Sequence, residues 1–554
     1  MLATPSAPRG ARHAALSSVY PTVSQQPMVE FAEGEVEAAQ TPIKIGVVFC
    51  GRQSPGGHNV IAGLHHAVAA APAGSELIGF LKGTKGLFAQ QGFAITDEVV
   101  KLFLNTGGFD MLGRSVDQVR TETQLAAALK ACTDMGLTGL VLIGSNYTLT
   151  DAAILAEYAA AKDCATRVIG VPVAVDGNVI SPLVEAMVGF DTACRVYSQV
   201  VANIQTDGRS AKKYYYFVRL MGRDASHITL ESALQTHPNA VIIGEEVAAS
   251  GLSLHDIASQ LADVVCQRRE AGKNFGVVLI PEGLIGLVPE MQLLVRDLNG
   301  LIAKASTTVT AEMAVQGLTP WSAALFKSLP EDFQQELLLE REVHGTVQLS
   351  QLHTERLLEA LVSRELASRK ERGEYAGGFA CLCHFFGYEA RSSSPSSFDC
   401  SLGFTLGHTA AALCHGGYTG MCAVARGLTG PVADWSIGGV PITALMDESR
   451  KVPSKGVQMD GAAFAKLAEL RDGWVLGDKF QNPGAVQYFG ASSDAIPKSL
   501  QEEHTSRLAN MESIEASVAQ IEAICKQDYS EGSLQTAKIS LASLAQILRI
   551  QAGL

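Results

Sequence analysis

Charge is scarce in this sequence, and basic charge is the scarcer kind: only 18% of 554 residues are charged, and 43 Lys and Arg against 56 Asp and Glu leave a formal charge of −13. That balance argues against nucleic acid or an anionic membrane as the main partner, and leaves local arginine clusters and backbone N–H groups to hold any anion. The sequence also lacks a charge-free run of about 18 apolar residues, so no membrane-spanning helix is expected. It lacks C-x-x-C spacing as well; its 11 cysteines are scattered and odd in number, which fits a reduced, cytoplasmic setting. The close pair Cys381 and Cys383 is read as two buried thiols on opposite faces of a strand, and no metal site is expected. Neither a G-x-x-x-x-G-K-[ST] loop nor a G-x-G-x-x-G fingerprint is found, which removes the two commonest nucleotide cradles.

What is abundant is apolar: 47% of residues are hydrophobic, enough for several packed layers and at least two domains. Residues 1–40 are rich in Ala, Ser and Pro, with no acid before Glu30, and are read as a flexible extension; the resemblance to an organelle transit peptide is superficial, because no Arg-rich amphipathic helix is evident. From residue 41 short apolar strands alternate with helical stretches, the pattern of a parallel sheet covered by helices on both faces. The expected division is an α/β domain over 41–187, completed by about 392–440, and a second over 188–391. Periodic, charged stretches within about 290–378 suggest a helical insertion in the second domain, and 441–554 is expected to be mostly helical. Ligands in such sheets bind beyond the carboxyl ends of strands, so the loops after those ends are where function is sought.

The first of these loops, CGRQSPGGHNVI at 50–61, is a glycine-rich turn able either to cradle phosphate or simply to reverse the chain. Others are VLIGSNYTLTDAAILAE at 141–157, GVPVAVDGN at 170–178, YYYFVRLMGRD at 214–224, LIPEG at 279–283 and HFFGYEARSSSPSSFD at 384–399. In order and spacing these resemble the long pyrophosphate-dependent fructose-6-phosphate 1-phosphotransferases of the phosphofructokinase superfamily, and among them the plant-type regulatory alpha subunit. The resemblance implies two facing α/β domains with a helical insertion, and a glycolytic phosphotransferase complex.

Residue by residue, the implied site is lopsided. Where the family holds magnesium pyrophosphate with a Gly-Gly-Asp-Asp loop, this chain has Asn146 and Tyr147, and an amide is a poor ligand for a hard dication. Where the family has a phosphate-binding lysine and a second aspartate, it has Val173 and Asn178; after Gly51, Arg52 replaces a family glycine. Asp176 matches the general base but lacks its metal and donor, and can equally be a turn or cap residue. Met221, Gly222, Arg223, Glu282, Tyr388 and Arg391, which match the sugar-phosphate half, are all present. Arg114, Arg219 and His227 lie in the same motifs, where a structural ion pair or hydrogen bond is at least as good an account. The expectation is a regulatory subunit that binds a fructose phosphate, with fructose 2,6-bisphosphate as activator, in a hetero-oligomer, expected as a tetramer, with a catalytic beta subunit that uses Mg2+. The alternatives are an active phosphotransferase with a variant donor site and an assembly subunit that binds no ligand.

Overall fold

Apolar runs with both faces buried build two sheets, seen in a computed structural model that describes residues 2–4, 15–32, 41–115, 117–305, 308–339, 347, 351–486 and, with interruptions, 511–552. In chain order the strands are β1 (Leu2–Thr4), β2 (Met28–Glu30), β3 (Lys44–Phe49), β4 (Glu76–Phe80), β5 (Gly92–Ala94), β6 (Gly139–Gly144), β7 (Arg167–Pro172), β8 (Tyr215–Leu220), β9 (Ala240–Val241), β10 (Gly276–Pro281), β11 (Cys381–Phe386), β12 (Met421–Arg426) and β13 (Ser436–Pro441). The first sheet runs β1-β2-β13-β12-β7-β6-β3-β4-β5, parallel from β12 to β4 and antiparallel at its margins. The second, β11-β8-β10-β9, is wholly parallel. Strands β6, β8 and β10 are buried at every position, as expected where helices cover both faces.

Helices Gly57–Ala69 and Ser397–His415 cross on the first sheet at a separation that only glycine permits. A Cβ on Gly63 would lie 2.1 Å from the Phe404 carbonyl oxygen, and one on Gly407 would lie 2.1 Å from that of Val60. Between β10 and β11 come helices Pro289–Lys304, Ala311–Gly317, Pro320–Ser328, Glu331–Leu338 and Thr354–Glu371. Their apolar faces share one core with the second sheet, including Leu294, Phe326, Leu337 and Leu358. Inside this core the Arg219 guanidinium, on β8, meets the Glu355 carboxylate at 2.6 Å and lies 3.9 Å from the Phe385 ring centre.

The chain divides into two compact units, Met1–Tyr488 and Phe489–Leu554; in the second the longest element is the helix Glu531–Ala552. The helical expectation for 501–510 lies outside the described residues, as do the insertion's 340–346 and, at the N-terminus, 5–14 and 33–40. Among the described residues no helix is long and apolar enough to cross a membrane.

Three expectations are corrected. Residues 15–32 are not a loose extension: Leu16, Tyr20 and Val23 are buried, the Glu157 carboxylate accepts the N–H groups of Thr22 and Val23, and β2 pairs with β13. Residues 446–460 hold no helix; after a turn closed by bonds between Asp447, Arg450 and Lys451, residues 452–457 form an extended strap that spends its backbone groups on both α/β domains. Cys381 and Cys383, two apart on β11, share a face and pack against the same core, because side chains alternate with a period of two.

Candidate functional site

The carboxyl ends of β3, β6 and β7 lie side by side, so the loops that follow them converge. After β3 the chain turns into helix Gly57–Ala69 through Gly56, whose φ is +80° and where a Cβ would lie 2.5 Å from Val188 Cγ1, which leaves no room for another residue. Arg52 stands exposed on this turn, and the Arg114 guanidinium donates to the Gly51 carbonyl at 3.2 Å. Val173, just past β7, is fully buried and hydrogen-bonded to Gly144, so its side chain faces the core.

The two asparagines of the expected donor half are engaged through their NH2 groups. Asn146, buried at the start of helix Asn146–Ala161, donates to the Val452 carbonyl at 3.2 Å; beside it Tyr147 points outward, 46% exposed. Asn178, also buried, donates from its side chain to Ser454 Oγ at 3.1 Å, and its main-chain carbonyl accepts the Lys455 N–H at 2.8 Å. Thr150 Oγ1 accepts the Val452 N–H at 3.0 Å. The strap then passes to the second domain, where the Lys455 carbonyl meets His227 Nε2 at 3.0 Å and the Val457 N–H donates to Glu245 at 2.9 Å. A dication such as magnesium is held by several anionic oxygens, and at 146 and 178 these loops offer only neutral amides, whose NH2 groups are turned to the chain's own strap and whose Oδ1 atoms are buried. The donor half does not fit a magnesium–pyrophosphate complex.

The other half gathers charged side chains just past the ends of β8 and β10. Glu282, buried after β10, accepts the Gly222 N–H at 3.0 Å and donates its own N–H to Leu220, which locks the two loops together. Arg223 lies half-buried with Nε 3.4 Å from the Asp224 carboxylate. Met221 turns into the core beside Val218 and Ile228, and supports the loop from within. Burial pushes the Asp176 carboxyl up to about 6; the neighbouring charges of Asp224 and Glu282 add to the push, and those of Arg52 and Arg223 oppose it. Asp176 is therefore within electrostatic reach of both halves, and a carboxylate in that range can accept a proton at neutral pH.

Tyr388 and Arg391 form the short turn after β11, with the guanidinium 4.3 Å from the ring centre. Burial, then the positive charges of Arg114 and Arg52, lower the pKa of Arg391. Gln53 Nε2 donates to Ser392 Oγ at 2.6 Å, which ties the first loop to this turn. The structure thus brings Arg52, Asp176, Arg223, Glu282 and Arg391 together and places Arg219 elsewhere, buried in the second core. Sequence reasoning missed Asp224, Gln53, Ser392 and the strap. Asp224 could have been found, since it adjoins Arg223; the strap carries no motif and lies far along the chain.

Two α/β domains with mostly parallel sheets define a phosphofructokinase-type architecture, and the chain belongs to the phosphofructokinase family, whose model matches residues 44–414. It is 43% identical to subunit alpha 1 of pyrophosphate–fructose 6-phosphate 1-phosphotransferase from Arabidopsis thaliana, over 96% of this chain and 90% of the relative. It is 41% identical to subunit beta from Ricinus communis, over 88% of this chain and 89% of the relative. In fold it is similar to the crystal structure of the pyrophosphate-dependent phosphofructokinase from Marinobacter aquaeolei, with a TM-score of 0.52 at 12% identity, covering 82% of this chain and 98% of that one.

Proposed function

We propose that this chain is a regulatory, alpha-type subunit of a cytoplasmic pyrophosphate-dependent phosphofructokinase: it binds a fructose phosphate and modulates a catalytic beta subunit that performs the reaction with Mg2+. Identity alone favours neither subunit type, at 43% and 41%. The observation that carries the reading is the fate of Asn146 and Asn178, whose amides replace carboxylates and hydrogen-bond the chain's own strap, while Glu282, Arg223 and Arg391 remain around Asp176. Transfer of a phosphoryl group needs its developing charge neutralised, and the donor loops have amides at 146 and 178 where the resemblance implies carboxylates to hold a metal for that. Guanidinium groups grip phosphate through paired N–H donors, so the retained arginines support binding without catalysis. On this reading fructose 2,6-bisphosphate acts by binding one state of the complex more tightly than the other.

The test is an assay of the purified chain, alone and mixed with a catalytic beta subunit, with fructose 6-phosphate, pyrophosphate and magnesium, with and without the bisphosphate. The chain alone should form no measurable fructose 1,6-bisphosphate, and the reassembled complex should respond to the activator. A turnover by the chain alone on the order of one per second or more would overturn the proposal. In the complex, Arg223→Ala should move half-activation to a concentration roughly tenfold to a hundredfold higher, with basal turnover kept.

A further inference from the structure

We propose that Arg52, together with Arg114 and Arg391, forms a three-guanidinium pocket that grips a phosphoryl group of the bound sugar phosphate, so that Arg52 is a ligand-binding residue and not merely an obstacle to pyrophosphate. The proposal rests on the reading above that this site takes a sugar phosphate.

Three loops far apart in sequence carry these residues, and all are pinned to one another. Arg114 donates to the Gly51 carbonyl, directly before Arg52, at 3.2 Å. Gln53, directly after Arg52, donates to Ser392, directly after Arg391, at 2.6 Å. Gly107, on the Arg114 loop, packs so tightly on the Arg391 turn that a Cβ there would lie 2.2 Å from the Ser392 carbonyl oxygen. The cluster is therefore a built feature of the fold and not a chance meeting of long side chains.

Its charge is mostly basic, with the Asp176 carboxyl within electrostatic reach of Arg52. Arg223 has Asp224 beside it, but among the described residues none of Arg52, Arg114 and Arg391 forms an ion pair, and Arg391 Nε is buried with no hydrogen-bond partner. Positive charge from Arg52 and Arg114 disfavours the Arg391 cation, and that repulsion is relieved when an anion enters. A phosphoryl dianion suits the place: it presents oxygens to several guanidinium forks at once and supplies the missing acceptor. An arginine serving only to fill the donor cradle would need no such neighbours.

The experiment is calorimetric titration of the full chain with fructose 6-phosphate, fructose 2,6-bisphosphate and, separately, inorganic phosphate, for wild type, Arg52→Gly and Arg52→Lys. The turn is exposed, so Arg52→Gly should fold; a melting curve of each variant verifies it. Arg52→Gly is expected to weaken sugar-phosphate binding by about tenfold or more and to flatten its salt dependence, with Arg52→Lys in between. Unchanged or tighter sugar-phosphate binding by Arg52→Gly would overturn the pocket while leaving the regulatory reading intact. Arg52-dependent binding of inorganic phosphate with no uptake of either fructose phosphate would support the pocket and overturn the sugar-phosphate reading.

Discussion

Asp176 shows how one side chain can weaken the fold that holds it. Its folded pKa, about 6, stands above the ordinary value of 3.8, so between those limits the folded chain binds more protons than the unfolded one. Stability must then fall as pH rises through that window, and stay at the lower level above it. Replacing the carboxyl by an amide of the same shape removes the effect. Asp176→Asn is expected to be more stable than wild type at pH 7, by at most about 3 kcal/mol, and nearly equal to it at pH 4. Urea unfolding at the two pH values checks this, and an identical difference at both would refute it. Residue types alone placed amides at 146 and 178, where the family resemblance implies carboxylates; the direction in which the amides point depends on residues some three hundred positions away and was not legible.

Among the elements, the strap is the most exposed to a single change. The Val452 N–H has the Thr150 hydroxyl as its acceptor, and both residues are buried. Thr150→Val keeps the shape and removes the acceptor, leaving a buried N–H unpaired at a cost of about 1–3 kcal/mol. Amide hydrogen exchange around Val452 should accelerate about tenfold or more, with exchange in β6 and β7 unaltered; unchanged exchange at Val452 would show that the strap does not depend on this bond. Strands such as β6 and β10 were legible because burial on both faces leaves an unbroken apolar run. The strap was not, since residues 452–457 bond to other segments and so have neither helical nor strand periodicity. Residues 15–32 were hidden for a related reason: a few anchors, Leu16, Tyr20, Val23 and Val29, are diluted in an Ala/Ser/Pro-rich context.

At the scale of the molecule, Asp399 joins the two α/β domains. It sits on the helix Ser397–His415 of the first domain and accepts the N–H groups of Gly189 at 2.9 Å and Thr192 at 2.8 Å, where the helix Phe190–Ala211 of the second domain begins. Asp399→Ala strips two buried N–H groups of their acceptor and is expected to cost about 2–5 kcal/mol, read as a lower denaturation midpoint. A loss below about 1 kcal/mol would mean that water replaces the carboxylate. The two-domain plan itself was legible from the alternation of strands and helices; this joint, a helix cap reaching across more than two hundred residues, was not. The N-terminal segment has a consequence of another kind. Because β2 lies between β1 and β13, a chain trimmed beyond residue 32 would present β13 as an open border, with the N–H and C=O groups that β2 now occupies turned to solvent. Such a border is a template for strand exchange between molecules, so those first residues act as a guard against self-association, and a truncated chain should precipitate before it unfolds.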